Sequence, residues 1–396
     1  MLSPATRQAV RAYTAHLRPE CPLYLRLALY DCLLDTIRGD GTDAVRVQVA
    51  SIYVQRLIDA NADQDAAQHY LQQHDPRFTG YQSLFILLRD TDLPFDLVAP
   101  YLRYQSGGVY ALMQLPPPTE HPGVVDAVID AYPHQPYDNT RGAFIRKLIE
   151  WRVMIDPGKV LPHLRAWLAS EPIHAVREVI TRAISLYGDA DDYQRLLAQM
   201  AREGPSTDLI IGLGRLGNAT TVPILTPYLT NQNGRFQTET VTALSIIGTP
   251  AALEAVCGVM YEANILTVTG ALSRIGGRGA TEALLRLLYF NWEEPRNLQA
   301  VIPSIAKCGR PSDAIHLVPL LYADDRYNIG ATLQAVGRLQ NAALVPDIAR
   351  FLGDNRKWRY DRAREQRITY SETAAVALEQ IGTPEALQAL EDYKRS

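Results

Sequence analysis

The stretch ALSIIGTPAAL, residues 243–253, recurs almost unchanged as ALEQIGTPEAL at residues 377–387. The glycine of each copy belongs to a series of anchor residues that return about every 30 positions, with Gln340 as a degenerate member. The anchors are Gly188, Gly217, Gly248, Gly276, Gly309, Gln340 and Gly382. A fixed period of this length is typical of stacked repeats. The spacing therefore predicts an all-α fold, an α-α superhelix of stacked helical hairpins.

The residues around each anchor keep their character from repeat to repeat. The fifth residue before the anchor is small, and the fourth before it and the eighth after it are aliphatic. The small residues are Ala183, Gly212, Ala243, Ala271, Ser304, Ala335 and Ala377. The aliphatic residues are Ile184, Leu213, Leu244, Leu272, Ile305, Val336 and Leu378, then Leu196, Leu225, Val256, Leu284, Leu317, Ile348 and Leu390. Apolar residues at this spacing share one helix face, so the anchor lies in a bend between two helices.

The bend itself has a recognisable chemistry. Glycine readily adopts the left-handed backbone with which many helices end. Gly-Thr-Pro at 248–250 and 382–384 then predicts Thr249 and Thr383 as N-caps and the prolines as first residues of the second helices. The small residue before each anchor lets the first helix approach its neighbour closely. A single hairpin cannot bury its own apolar face, so successive hairpins must stack.

On these strings, residues 170–396 resemble HEAT repeats of the short type, about 30 residues long, that also occur in phycobilisome lyases. The resemblance implies a HEAT-like, armadillo-like solenoid. It also implies one alternative function, a phycobilin lyase or isomerase that handles a linear tetrapyrrole. Such folds carry many unrelated functions, so the resemblance is specific for fold rather than for activity.

The first part of the chain follows the pattern less closely. We expect residues 1–169 to form an irregular helical part built of degenerate repeats, and residues 170–396 to form the regular HEAT-like repeats. Taking Pro116 as an anchor places Ala111, Leu112 and Val124 in the repeat positions, and taking Asp156 places Leu164. Traces of the repeat therefore extend into the irregular part.

Composition excludes several classes of protein. The net charge is −4, which argues against general affinity for a nucleic-acid backbone. The longest apolar runs, such as residues 84–88, are far too short to span a bilayer. Residues 1–18 lack the apolar core of a signal peptide, so a cytoplasmic location is expected. The four cysteines show no metal-binding spacing.

Two motifs resemble cofactor-binding or metal-binding sites, but the residues around them do not support either function. GLGRLG, residues 212–217, satisfies the dinucleotide-binding pattern literally, but that pattern must follow a strand and open a helix. Here it closes a helix. His69 and His74 are five positions apart rather than the three or four that share a helix face. No nucleophile stands beside a base, so no catalytic residue, metal ligand or cofactor is predicted.

One segment departs from the repeat length. Gln340 and Gly382 lie 42 positions apart against about 31 elsewhere, and the extra length contains RKWRYDRAREQR, residues 356–367. Its basic and aromatic side chains predict binding to an acidic partner through ion pairs and ring stacking. The candidate binding residues are Arg356, Lys357, Trp358, Arg359, Tyr360 and Arg362. The alternative is an extended helix or loop whose arginines pair with neighbouring repeats, since charge runs are usually solvated faces.

A second candidate for partner binding is Trp292, in the sequence NWEEPR at residues 291–296. Exposed tryptophans commonly dominate binding hot spots. The same residue would equally serve as a buried cap over the preceding helix. Both interpretations stay open at this point.

Three functions are compatible with the sequence. The first is a non-enzymatic protein-interaction scaffold or adaptor that presents a curved repeat surface to another protein. The second is the bilin lyase implied by the resemblance. The third is a nucleic-acid-binding repeat protein, which only the basic segment near Arg356 favours. We predict the first, with a protein partner that carries an acidic surface.

Overall fold

The computed structural model describes residues 102, 115–135, 137–230, 234–361 and 365–395. The chain divides into two compact units, Met1–Asp189 and Ala190–Ser396. Helices joined by short turns make up most of the described chain and pack consecutively, which confirms the predicted all-α solenoid. No helix among the described residues is long and apolar enough to cross a membrane. The predicted change in repeat regularity at residues 169–170 stays a prediction.

The described part of the first unit contains four helices. They are α1 Val124–Ala131, followed by a 3₁₀ turn at Tyr132–His134, then α2 Asp138–Glu150, α3 Pro157–Ser170 and α4 His174–Tyr187. Helices α2 and α3 both pack against α4. The core between them contains Val128, Phe144, Leu164 and Ile180, all fully buried. Val124 and Leu164, placed in repeat positions by the sequence, are also fully buried, whereas Ala111 and Leu112 lie outside the described residues.

A buried carboxylate joins the helices of the first unit. Glu171, just after α3, accepts hydrogen bonds from Arg141 Nε at 2.9 Å and Nη2 at 3.1 Å, and from the Tyr132 hydroxyl at 2.9 Å. The Ile173 backbone N–H donates to the same carboxylate. Burial raises the pKa of Glu171, but these hydrogen bonds outweigh it, and the net pKa lies below the usual 4.5. Ionised Glu171 therefore ties the 3₁₀ turn and α2 to the start of α4.

We expect Glu171→Gln to lower the free energy of unfolding by about 3 kcal/mol at pH 7, because it removes the carboxylate that balances the charge of the largely buried Arg141. The folded-state pKa is depressed, so the contribution of Glu171 is present above the unfolded-state pKa and is lost as pH falls through the folded-state value. Urea unfolding should show the difference between variant and native protein shrinking below pH 4.5. An equal difference at pH 7 and pH 3.5 would contradict this account. Asp126→Asn, which breaks an exposed pair with Lys159, is the control and should cost about 0.5 kcal/mol or less.

The second unit consists of first helices that pack one against the next and second helices that cover them. The first helices are α6 Thr207–Leu216, α8 Gln237–Ile247, α10 Ile265–Ile275, α12 Pro295–Cys308, α13 Arg326–Leu339 and α15 Tyr370–Ile381. The covering elements are α5 Ala190–Glu203, α7 Val222–Leu225 between 3₁₀ turns Ala219–Thr221 and Thr226–Tyr228, α9 Pro250–Gly258, α11 Gly277–Phe290, the 3₁₀ segment Pro311–Tyr322, α14 Val345–Ala349 after the 3₁₀ turn Ala342–Leu344, and α16 Pro384–Arg395. Strands β1 Lys357–Asp361 and β2 Gln366–Thr369 lie between α14 and α15.

The predicted repeat positions are the core. Every aliphatic residue four places before an anchor is at most 1% exposed, and every one eight places after it is at most 4% exposed. Thr249 and Thr383 accept hydrogen bonds from the backbone N–H groups of Ala252 and Ala386, both at 3.3 Å, and so act as the predicted N-caps. The prolines that follow them open α9 and α16.

The anchors end the first helices for two different reasons. Each anchor directly follows its helix, and four have positive φ: Gly248, Gly276, Gln340 and Gly382. The backbone at Gly188, Gly217 and Gly309 is instead extended, with φ of −74°, −83° and −74°. A Cβ at Gly217 would overlap Thr221 and the Leu213 carbonyl oxygen, and one at Gly309 would lie 2.7 Å from the Ile305 carbonyl oxygen. These two positions exclude a side chain by lack of space rather than by φ.

Close backbone contact joins successive first helices. A Cβ on Gly214, in α6, would lie 2.6 Å from Cα of Ala243 in α8, and a Cβ on Gly337, in α13, would lie 2.7 Å from Cα of Ala377 in α15. The residue three places before one anchor thus faces the small residue five places before the next. Gly214 belongs to GLGRLG, which ends α6 as predicted and serves helix packing.

We expect Gly214→Ala to destabilise the second unit by about 1 to 2 kcal/mol, because forcing α6 and α8 apart outweighs the gain of about 1 kcal/mol in helix propensity. Gly270→Ala is the matched control, since Gly270 lies inside α10 and its added Cβ would meet no atom within 4 Å. That variant should be neutral or stabilising. Thermal and urea unfolding measure both, and equal effects of the two substitutions would refute the close-contact argument.

Candidate partner-binding surfaces

The basic insert forms a β-hairpin rather than the helix or loop considered from sequence. Strands β1 and β2 are antiparallel, with Arg359 opposite Ile368 and Tyr360 opposite Arg367. Residues opposite each other in an antiparallel pair share a face of the sheet, so Tyr360 and Arg367 lie on one face and Arg359 on the other. Arg362, a predicted binding residue, lies outside the described residues.

Trp358 fixes this hairpin to the helical layer. Its side chain is only 7% exposed and lies against Gly330 of α13, where a Cβ would overlap the indole ring. The indole Nε1 donates a hydrogen bond of 2.9 Å to Thr373 Oγ1 on α15. Trp358 therefore belongs to the core and has no exposed ring for a partner. The stacking prediction then rests on Tyr360, which is 55% exposed.

The base of the hairpin is held by backbone hydrogen bonds. The Tyr370 N–H donates to the Arg356 carbonyl oxygen at 3.1 Å, and the Ser371 N–H donates to the Asp354 carbonyl oxygen at 2.9 Å. Tyr370 is itself fully buried, and its hydroxyl donates to the Arg326 carbonyl oxygen on α13. The two ends of the insert are thus joined at the first turn of α15.

The arginines and lysine of the insert differ in whether they have partners. Arg356 Nη2 lies 2.7 Å from Asp354 Oδ2, and its hydrogen bonding lowers the pKa of that carboxyl. Arg356 is therefore paired locally, with the residue two places before it, rather than with a neighbouring repeat as in the alternative drawn from the sequence. Lys357, Arg359 and Arg367 are exposed, and among the described residues no carboxylate lies within ion-pair distance of them.

Trp292 is neither fully exposed as a contact residue nor fully buried as a cap over the preceding helix. The side chain is 37% exposed and stacks on Tyr289 of α11, with ring centroids 6.1 Å apart and an interplanar angle of 19°. The preceding residue, Asn291, is buried, and its amide donates to the Leu287 carbonyl oxygen. One face of the indole therefore covers α11, and part of the ring stays accessible.

Three exposed tyrosines recur at one repeat position that sequence reasoning missed. Tyr261, Tyr289 and Tyr322 each follow their anchor by thirteen residues, in three consecutive repeats, and are 48%, 55% and 55% exposed. The common offset of thirteen residues from the anchor is present in the sequence, but the apolar pattern that marks the core does not include it. The buried repeat positions recur because packing of the helices requires apolar residues there, whereas an exposed tyrosine gains little from packing.

Each of these tyrosines contacts a side chain of the next repeat. The rings of Tyr261 and Phe290 are 4.6 Å apart. The Tyr289 hydroxyl lies 2.7 Å from His316 Nδ1. The Tyr322 hydroxyl donates to Asp347 at 2.5 Å and accepts from Arg350 at 2.7 Å. The tyrosines thus connect the covering elements at their carboxyl ends while leaving ring surface accessible.

The groups able to perform covalent or metal chemistry are few in the described ranges. These residues contain no group of three or more His, Cys, Asp or Glu side chains that could hold a metal ion. Cys257 and Cys308 are half-buried free thiols, and burial raises the pKa of both. Because the thiolate is the reactive form, neither thiol is activated as a nucleophile.

Comparison with known proteins concerns the repeat itself. Residues 372–395, which span most of α15 and all of α16, match the family described as PBS lyase HEAT-like repeat, which confirms the resemblance seen in the repeat strings. No curated protein matches the chain. The chain is similar to the crystal structure of an engineered protein at 15% identity, over 79% of this chain and 92% of the other, with a TM-score of 0.37.

We expect Gly330→Ala to detach the hairpin from α13, because the added Cβ would overlap the Trp358 ring. Trypsin should then cleave after Lys357 and Arg359 about ten times faster, since cleavage requires local opening of the hairpin. Gly270→Ala again serves as the control and should leave cleavage unchanged. Mass spectrometry of the early fragments identifies the cut sites, and native-like resistance of Gly330→Ala would show that Trp358 does not hold the hairpin.

Proposed function

We propose that the second unit is a non-enzymatic scaffold that docks another protein, and that the hairpin strands β1 and β2 bind an acidic surface of that partner. The observation that carries this proposal is the set of exposed cations Lys357, Arg359 and Arg367, which have no carboxylate partner among the described residues. Neighbouring cations repel one another, so an arrangement of this kind is relieved by an external anion.

The fixed attachment of the hairpin to the helical layer supports the proposal. A flexible basic loop would lose conformational freedom on binding, and that loss would offset much of the gain from ion pairs. Here Trp358 and the backbone bonds at Arg356 already hold the strands in place. Exposed ion pairs contribute about 0.5 kcal/mol each, so three of them supply about tenfold in affinity.

Aromatic side chains supply a second part of the docking surface. Trp292 and Tyr289 form a stacked, partly exposed pair, and rigid aromatic rings are common centres of binding hot spots. We assign this pair to an apolar contact with the same partner, which agrees with the prediction made for Trp292 from sequence.

The direct test is affinity capture with the full chain and two triple variants. Lys357→Gln, Arg359→Gln and Arg367→Gln together should reduce recovery of the partner about tenfold. Arg274→Gln, Lys307→Gln and Arg338→Gln together remove the same charge from exposed positions on first helices and should change recovery less than about twofold. Quantitative mass spectrometry of the eluates makes the comparison.

The same eluates decide between the functional classes. A partner recovered equally by both triple variants would overturn the role of the hairpin. A visible absorbance band in the eluate would favour the bilin lyase. Material lost after nuclease treatment, with affinity falling steeply as salt rises, would favour a nucleic-acid-binding protein.

A further inference from the structure

The two strands of the hairpin differ in how their outer edges are used. The Thr369 N–H of β2 donates to the Glu372 carboxylate at 2.7 Å, and the Thr369 carbonyl oxygen accepts from Thr373 Oγ1 at 2.8 Å. The end of β2 is thus occupied by the first turn of α15. From Lys357 to Tyr360, the backbone of β1 forms no hydrogen bond beyond the hairpin itself within the described residues. Within the described residues β1 is therefore open from Lys357 to Tyr360, whereas β2 is occupied at Thr369.

An open edge presents a row of backbone donors and acceptors to any extended chain. Proteins commonly protect such edges with charged side chains, and the exposed cations of β1 would repel a second copy of the same strand. The same charges favour one kind of occupant. A strand with carboxylates would gain ion pairs with Lys357 and Arg359, which have no partner in the described chain.

We infer that β1 binds an acidic, extended segment of the partner as a third strand of the sheet. This inference rests on the proposed docking function and specifies the form in which the acidic partner is recognised. Added strands gain affinity from main-chain hydrogen bonds and specificity from alternate side chains. Arg359 and Tyr360 lie on opposite faces, so beside these two residues the segment carries Asp or Glu on the face of Arg359 and an apolar residue on the face of Tyr360. The register shift between Lys357 and Arg359 places Lys357 on the face of Tyr360, so an ion pair with Lys357 needs a second carboxylate on that face. Strand β1 has five residues, so the paired part of the segment is about that long.

The probe is a fluorescein-labelled nine-residue peptide in which Glu and Val alternate, titrated with the full chain and followed by fluorescence anisotropy. Two methylated peptides, one at every valine nitrogen and one at every glutamate nitrogen, keep every charge and each remove the donors of one strand edge. Whichever edge faces β1, one of the two peptides should bind at least about tenfold more weakly. A peptide with Lys in place of Glu should not bind. Arg359→Glu should weaken the Glu peptide about tenfold, while Arg338→Glu, the exposed control, should not.

The outcomes distinguish strand addition from the proposed docking function on which it rests. Equal binding of the methylated and unmethylated peptides would overturn strand addition and leave docking through charge in place. Failure of the Glu peptide to bind at about 1 mM, an affinity of about −4 kcal/mol, would also overturn strand addition. A fifteen-nucleotide polyuridine that binds more tightly than the Glu peptide would overturn both the strand and the acidic protein partner.

Discussion

At two junctions between successive first helices, α6 with α8 and α13 with α15, the backbones approach so closely that glycine meets alanine with no room for a larger side chain. Gly214 faces Ala243, and Gly337 faces Ala377, at distances that leave no room for another Cβ. This contact aligns the first helices as one layer, and the covering elements then bury their aliphatic residues on it. The same alignment brings Gly330 on α13 and Thr373 on α15 together as the seat of Trp358. The position of the hairpin therefore depends on the packing of the helical layer.

Much of this layer could be predicted from sequence because each repeat supplies an independent copy of the same constraint. Positions four before and eight after the anchor are apolar in every repeat, and all are buried. The reason for each glycine was only partly predictable. Positive φ is a local property that the bend indicates, as at Gly248. The need for glycine at Gly217 comes from Thr221 and the Leu213 carbonyl oxygen, which only the folded geometry brings into place.

The candidate site was predictable in location but not in form. The excess length between Gln340 and Gly382 marks an insertion, since the repeat itself needs fewer residues. Its tryptophan looks like an exposed contact residue when only the neighbouring charges are read, yet it is buried because Gly330 leaves a space for it. Which cations are paired depends likewise on the folded geometry. Arg356 donates from Nε to Oδ1 and from Nη2 to Oδ2 of Asp354, which is a bidentate hydrogen bond. A hairpin of two short strands has too little periodicity to be recognised without its partners.

Function in a repeat protein depends on residues that do not follow the repeat pattern, because the residues that follow it are used to pack the core. In the second unit those departures are the hairpin and the partly exposed rings near Trp292. The most direct test of their role is hydrogen exchange of the full chain, measured with and without its captured partner. The account predicts slower exchange in the backbone amides of residues 357–361, with the exposed ends of the first helices unchanged. Slower exchange along the first helices, with the hairpin unaffected, would contradict it.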